Sequence, residues 1–301
     1  MPAFFPLLQW PSSRKDRRLY KRSQLSQSLT DSLARYDEVY AIVSPPRCSS
    51  TAFARVFWEQ PSIRYYCHEP FETTYYQGED LRHVEAKLCS PLDLGTLKNV
   101  RGSEDSRGLV IKEMPYQVGD RFPLLAAIAT RPVVFLLRDP RLSIASRMRK
   151  KRQVGASPLF PQVESGWELL REQIRWCRES GIAHRLVDSK DFRNRPLRTF
   201  PELFDALGLP FESGMLDWRP CPEVELDNLG GRHSHLYGAV LRSSGLLASK
   251  CEPPELSSFP HERDWRKHVA HCLEIYGELR ELPERIRPAA AFEAPSSSAA
   301  L

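Results

Sequence analysis

Val39-Tyr-Ala-Ile-Val-Ser-Pro-Pro-Arg-Cys-Ser-Ser-Thr-Ala-Phe-Ala-Arg-Val-Phe-Trp58 decides the fold class. Val39–Val43 is a short, nearly continuous apolar run that breaks at Ser44-Pro-Pro, which predicts a buried strand. Thr51–Trp58 behind it reads as a helix. The same alternation continues along the chain. Arg64–Cys67 and Gly108–Lys112 read as strands, and Phe122–Thr130 as a helix. Pro132–Leu137 carries the strongest signal for a buried strand. Ser143–Lys151 and Glu164–Glu179 follow as helices, Arg185–Val187 as a strand, and Phe200–Leu207 and Asp264–Leu282 as helices. Short apolar strands alternating with helices predict an α/β fold, a parallel sheet covered on both faces. Ligands of such sheets bind beyond the carboxyl ends of the strands. Chemistry is therefore expected just after Val43, Cys67, Lys112 and Leu137.

Composition narrows the classes. The 301 residues are 41% hydrophobic and 27% charged, enough apolar material for a buried core. Mean hydropathy is −0.44, and no apolar run reaches the roughly 20 residues that span a bilayer, so no membrane association is expected. The seven cysteines are dispersed and never at C-x-x-C spacing, which argues against a disulfide scaffold or a Cys-rich zinc site. His233/His235 and His268/His271 have no nearby Cys or carboxylate partners in a familiar ligand arrangement, and no metal is expected. The first ten residues are apolar, but positive charge follows them where a secretory leader would place it first; the expected compartment is the reducing cytoplasm. The organisation expected is a basic N-terminal arm over 1–37, one α/β domain over 38–285, and a disordered low-complexity tail over 286–301.

The net charge is +5, unevenly spread. Residues 14–22 hold six Lys/Arg against one Asp, and residues 138–152 hold seven against one, so the rest of the chain carries −6. Basicity confined to two segments points to a small anionic ligand rather than to nucleic acid.

Two strand-to-helix turns can build a phosphate site. After the first strand, Arg47, Cys48, Ser49, Ser50, Thr51 and Ala52 lead into a helix. That geometry aims backbone N–H groups at one point, and the hydroxyls and the Arg47 charge add donors. Helix capping by the same Ser/Thr residues is the structural alternative. A Walker A loop does not fit, because its glycines and lysine are absent. After the strand ending at Leu137, Arg138 can reach over the sheet edge while Ser146 stands about two helical turns on. Pro140 suits the first turn of that helix. The structural alternative here is an Arg138–Asp139 pair.

Together these segments resemble the 3′-phosphoadenosine 5′-phosphosulfate (PAPS)-dependent sulfotransferases. Pro46-Arg-Cys-Ser-Ser-Thr51 resembles that family's 5′-phosphosulfate loop, and Arg138-Asp-Pro-Arg-Leu-Ser-Ile-Ala-Ser146 resembles its 3′-phosphate motif, an Arg and a Ser eight positions apart. Val187-Asp-Ser-Lys-Asp-Phe and Leu207-Gly-Leu-Pro-Phe211 continue the likeness, which covers roughly 38–215. The resemblance implies a three-layer, P-loop NTPase-like fold with PAPS as co-substrate and PAP (3′-phosphoadenosine 5′-phosphate) as product. It also implies in-line sulfuryl transfer to a hydroxyl or amine of a small-molecule acceptor, without a metal. The sequence departs from the pattern in three ways: Ser49 stands where the family has Gly, Cys48 where it has Ser, and the Gly-rich C-terminal cofactor segment is not evident unless Arg242-Ser-Ser-Gly-Leu246 replaces it.

For catalysis the resemblance points to Arg47 as the cation of the leaving group; Lys112, at the end of the third strand, is either a second such cation or a lysine whose head merely reaches the sheet edge. In related enzymes a carboxylate after the second strand serves as base. That implies Glu69, with Glu113 in reserve; strand alternation allows only one of His68 and Glu69 to face the cofactor. The aryl and steroid enzymes place a His two residues beyond the strand-end Lys, a position held here by Met114. Three rivals stand beside this reading: a P-loop kinase or NTPase, a non-catalytic nucleotide-binding protein of the same fold, and a nucleic-acid binder. The acceptor has no signature in the sequence.

Overall fold

A computed structural model of the chain describes residues 27–98, 105–249 and 251–287. Six strands form one sheet in the order β3-β2-β4-β1-β5-β6. They are β1 (Val39–Val43), β2 (Ile63–His68), β3 (Leu92–Asp93), β4 (Gly108–Glu113), β5 (Val133–Leu137) and β6 (His184–Asp188). Every pairing is parallel except that of the two-residue edge strand β3 with β2. The chain order reverses at central β1, which has β4 on one side and β5 on the other, and this is where such sheets open a crevice for ligands.

Alternation along the strands builds two cores. Val39, Ala41, Val43, Phe135 and Leu137 face one, shared with Leu29 and Leu33 of α1 (Gln27–Leu33), Val84 and Leu88 of α4 (Leu81–Cys89), and Leu125 of α6 (Phe122–Ile128). Residues of α8 (Trp167–Ser180) and α12 (Trp265–Arg280) complete that layer. Tyr40, Ile42, Val134 and Leu136 face the other core, filled by Phe53 and Phe57 of α2 (Ser50–Trp58) and by Phe200, Leu203 and Phe204 of α10 (Pro196–Leu207). The result is the expected three-layer α/β sandwich.

Within the expected arm over 1–37, Leu29, Leu33 and Tyr36 are buried in the core. The arm's basic segment 14–22 lies outside the described residues. So does the expected tail apart from Ile286 and Arg287, and Ile286 is buried with its N–H on the carbonyl of Leu186. No described helix is long and apolar enough to cross a membrane. All seven cysteines are free.

Gly108 opens β4 where the chains touch: a Cβ there would stand 2.4 Å from the carbonyl oxygen of Ser62. Gly108→Ala must push two hydrogen-bonded backbones apart, and a loss of about 1–3 kcal/mol in urea unfolding is expected. Unchanged stability would mean that the β2–β4 contact yields freely.

The docking of α12 carries a pH dependence. His268 lies against Ser165, with Nε2 2.9 Å from Oγ. Burial first, and the neighbouring His271 second, push its pKa down to about 4 from 6.5. The unfolded chain therefore binds this proton first as the pH falls. Stability from keeping His268 neutral is complete above about pH 6.5 and drains away toward pH 4. The melting temperature should fall across that window, and His268→Gln should flatten the fall.

Candidate active site

The loop between β1 and α2 takes the strain that its missing glycine implies. Arg47 and Ser49 both have left-handed backbones, with φ of 64° and 65°, and the intervening Cys48 does not. Alternating handedness turns successive N–H groups toward one point and builds a concavity for an anion. Each non-glycine residue held there costs roughly 1–2 kcal/mol. Such strain, persisting in an over-determined loop, is the mark of a functional segment.

Capping does not explain these hydroxyls. Ser49 at the N-cap of α2 makes no side-chain capping bond, and its Oγ instead accepts from Arg193 Nη1 at 3.3 Å. The N–H groups of the first turn of α2 are thus left to the cavity beside them. Ser49, Ser50, Thr51 and Ala52 line it. The Cys48 side chain turns away into the core, fully buried, and burial pushes its thiol up to about 12. Its part in any anion site is confined to the backbone.

The second turn meets the first. Asp139 caps α7 (Pro140–Gln153) by accepting the N–H of Arg141 at 2.9 Å, and its carboxylate binds the Arg141 guanidinium. The alternative of a structural Arg138–Asp139 pair therefore fails, because Asp139 is engaged elsewhere. Arg138 Nη1 donates to the Arg47 carbonyl, and Arg47 Nε lies 3.4 Å from Ser146 Oγ. Ser143, expected on the same helix face, is buried against the Pro140 carbonyl. Arg193, on α9 (Ser189–Asn194) directly after β6, completes a group of three guanidiniums. Burial and the nearby Arg138 charge lower the pKa of both Arg47 and Arg193. Three cations crowded at a helix N-terminus form a site that an anion relieves.

These groups line a cavity of about 610 Å³. Eight Lys/Arg side chains line it against two carboxylates, Glu69 and Glu72. The segment 243–247 closes one wall through Ser243, Gly245, Leu246 and Leu247. Gly245 fits closely there, since a Cβ would stand 3.0 Å from the Leu216 carbonyl oxygen and would displace the Asp217 carboxylate. The stretch expected as a substitute cofactor segment thus does reach the cavity, although Arg242 is not among the lining residues.

Glu69 and Lys112, 1% exposed each, line the same cavity. The Lys112 ammonium binds Glu69 Oε1, Gln117 Nε2 donates to Oε2 at 2.9 Å, and Tyr237 OH lies 3.5 Å from Oε1. His68 Nε2 is 3.3 Å from the same oxygen, and its Nδ1 is 2.6 Å from Tyr66 OH. Burial alone would raise the Glu69 carboxyl; the Lys112 charge, helped by hydrogen bonding, outweighs it and holds it well below the usual range. Burial lowers the pKa of His68, which favours the neutral ring. Of His68 and Glu69 only Glu69 lines the cavity, although alternation does not keep the two side chains apart. The pleat ends at His68, and Glu69 has φ 45°, which swings its carboxylate back beside the imidazole.

Glu113 is not at the cavity. One residue beyond Lys112, it faces the opposite side of β4, where its oxygens accept the N–H groups of Phe71 (2.9 Å) and Met114 (2.7 Å). Burial and the Glu69 charge push its pKa well up. The reserve base is therefore a brace for the turn after β2.

Several lining groups carry no motif. His233 Nδ1 bonds the fully buried Glu72 at 2.7 Å, and His233 N–H donates to Asp227 Oδ2 at 3.0 Å. The carboxylate partners that His233 lacks in sequence are thus supplied by the fold. Glu72, Asp227 and His233 present atoms within 4.8 Å of one another, but a direct Glu72–His233 bond already accounts for two of them. Tyr76, Tyr116 and Tyr237 form an aromatic wall, and Arg147, bound to Glu164, lies 4.2 Å over the Phe160 ring.

No curated protein gives a match to this chain. Among solved structures it is similar to the sulfotransferase domain from the curacin biosynthetic pathway, at 18% identity and a TM-score of 0.48, covering 82% of this chain and 99% of that one. It is similar to the sulfotransferase domain of the Synechococcus PCC 7002 olefin synthase, at 14% identity and 0.44, over 81% and 96%. A third is mouse sulfotransferase SULT7A1 complexed with PAP, at 12% identity and 0.41, over 86% and 96%. The family model described as the sulfotransferase domain matches residues 39–264, from the first residue of β1 to the residue before α12, and the chain belongs to that family.

Proposed function

We propose that this sulfotransferase uses PAPS and moves its sulfuryl group to a hydroxyl or amine of a small-molecule acceptor. The observation that carries the reading is the convergence of Arg47, Arg138 and Arg193 with an uncapped helix N-terminus on a cavity that Glu69 and Lys112 also line. A nucleotide with two separate anionic groups matches such a spread of cations.

In this reading the 46–52 backbone, Ser50 and Thr51 hold the 5′-phosphosulfate, while Arg138 and Ser146 hold the 3′-phosphate. PAPS supplies the sulfuryl group. The chain supplies alignment and charge, as in phosphoryl transfer. Arg47 and Lys112 neutralise the charge that builds on the leaving phosphate as its bond to sulfur breaks. Glu69 takes the proton from the acceptor as the new bond to sulfur forms. Tyr76, Tyr116 and the Glu72-held His233 line the space left for the acceptor.

PAP should raise the melting temperature of the full chain by linkage, by about 2.7 kcal/mol of stability at 100 times its Kd. Failure of both PAP and PAPS to stabilise the protein would sink the proposal. Transfer of label from ³⁵S-PAPS to a component of a metabolite extract would then identify the acceptor.

A further inference from the structure

Glu69 and Lys112 are the two groups on which transfer depends, yet in the structure each is spent on the other. Glu69 Oε1 takes the Lys112 ammonium and lies near His68 Nε2 and Tyr237 OH, while Oε2 takes Gln117 Nε2. With the Lys112 ammonium on Oε1 the carboxylate's charge is already matched, which makes it a poor proton acceptor until that ammonium moves. Of its four neighbours, from β4, β2, α5 (Pro115–Val118) and the turn before α11 (Gly238–Leu241), Lys112 brings the full positive charge. The other two acids nearby, Glu72 and Glu113, are held by His233 and by backbone N–H groups. Lys112, for its part, has Glu69 as its hydrogen-bond partner among the described residues and is 1% exposed. One ammonium cannot at once neutralise Glu69 and a leaving phosphate.

Both side chains line the same cavity as Arg47 and the strained loop. An anion seated on that loop competes with Glu69 for the ammonium. Building on the PAPS-dependent reading, we infer that Lys112 is a handover cation: it locks Glu69 in the free protein and passes to the bound nucleotide, so that Glu69 becomes a working base only once the donor is in place. The reaction is then ordered, donor before acceptor. After the handover, Glu69 stays buried among neutral donors. Burial, which favours its protonated form, is no longer opposed by the ammonium, and its basicity rises when it is needed.

A double-mutant cycle on PAP affinity, measured by calorimetry on the full chain, tests this without any acceptor. Glu69→Gln removes the competitor for Lys112, so PAP should bind about tenfold tighter. Lys112→Met should weaken PAP by at least about tenfold, and adding Glu69→Gln to Lys112→Met should bring no gain. A gain of equal size in both backgrounds would assign it to the lost negative charge alone and overturn the handover. So would Glu69→Gln binding PAP no more tightly than the wild type. Should Lys112→Met fail to fold, the crystal structure of the wild type with PAP decides: Nζ on the nucleotide supports the handover, and Nζ still on Glu69 ends it. Absence of PAP binding by the wild type is a different failure, which removes the PAPS-dependent reading and the handover with it.

Discussion

Arg138→Ala is expected to abolish the stabilisation by PAP and to weaken PAP binding by about 10²–10³-fold. Two effects add at this position. Arg138 lies at the carboxyl end of β5 and lines the cavity, so the substitution removes the charge-assisted bonds that the proposal gives it with the 3′-phosphate, about 1.5–3 kcal/mol each. It also removes the donor that holds the Arg47 carbonyl, and with it a support of a loop that carries two left-handed non-glycine residues. Arg138→Lys separates these contributions. A lysine keeps the charge but cannot fork between a backbone carbonyl and a phosphate, so it should restore only part of the affinity. The variant without nucleotide should lose about 1 kcal/mol of stability, the worth of one hydrogen bond. An Arg138→Ala protein whose melting temperature still rises with PAP as in the wild type would place the nucleotide elsewhere.

What could be read from the chain was what its local segments determine. β1, β5 and the helices after them announced themselves because a strand buried on both faces is apolar at nearly every position, as in Val133–Leu137. β3 did not, since two residues on an edge leave no pattern. That the loop after β1 and the Arg138/Ser146 pair meet at the cavity was legible because spacing within a strand-turn-helix fixes where their side chains go. Arg193 was not, although its place directly after β6, at the carboxyl edge of the sheet, was a usable signal. The Glu72–His233 bond joins residues 161 apart and rests on a fold that brings the 227–237 segment over α3 (Glu72–Gln77). No spacing rule reaches so far. The behaviour of Glu69 was only half visible. Its position after β2 showed in the sequence, but the positive φ that turns it back toward His68 is a tertiary outcome.

Glu69→Gln and Glu113→Gln should separate two buried carboxylates that the sequence left as alternatives. With the acceptor found by the labelled-PAPS screen, Glu69→Gln is expected to lose about 10²–10⁴-fold in kcat, the range for a positioned proton acceptor, while PAP still raises the melting temperature. The amide keeps the shape of the side chain and its bond to Gln117 but cannot take a proton. Glu113→Gln alters a group that braces Phe71 and Met114 behind the sheet, away from the cavity. It should change stability, because an amide offers one acceptor oxygen for two N–H groups, and leave kcat within about threefold. A non-catalytic nucleotide-binding protein would differ already at the screen: PAP binding in all three proteins and no labelled acceptor. If Glu69→Gln turns over at the wild-type rate, the proton must leave by another group. His233 is then the one to replace, since Glu72 holds its Nδ1 and orients the ring within the cavity lining. Loss of kcat in His233→Ala, restored by added imidazole, would assign the base there.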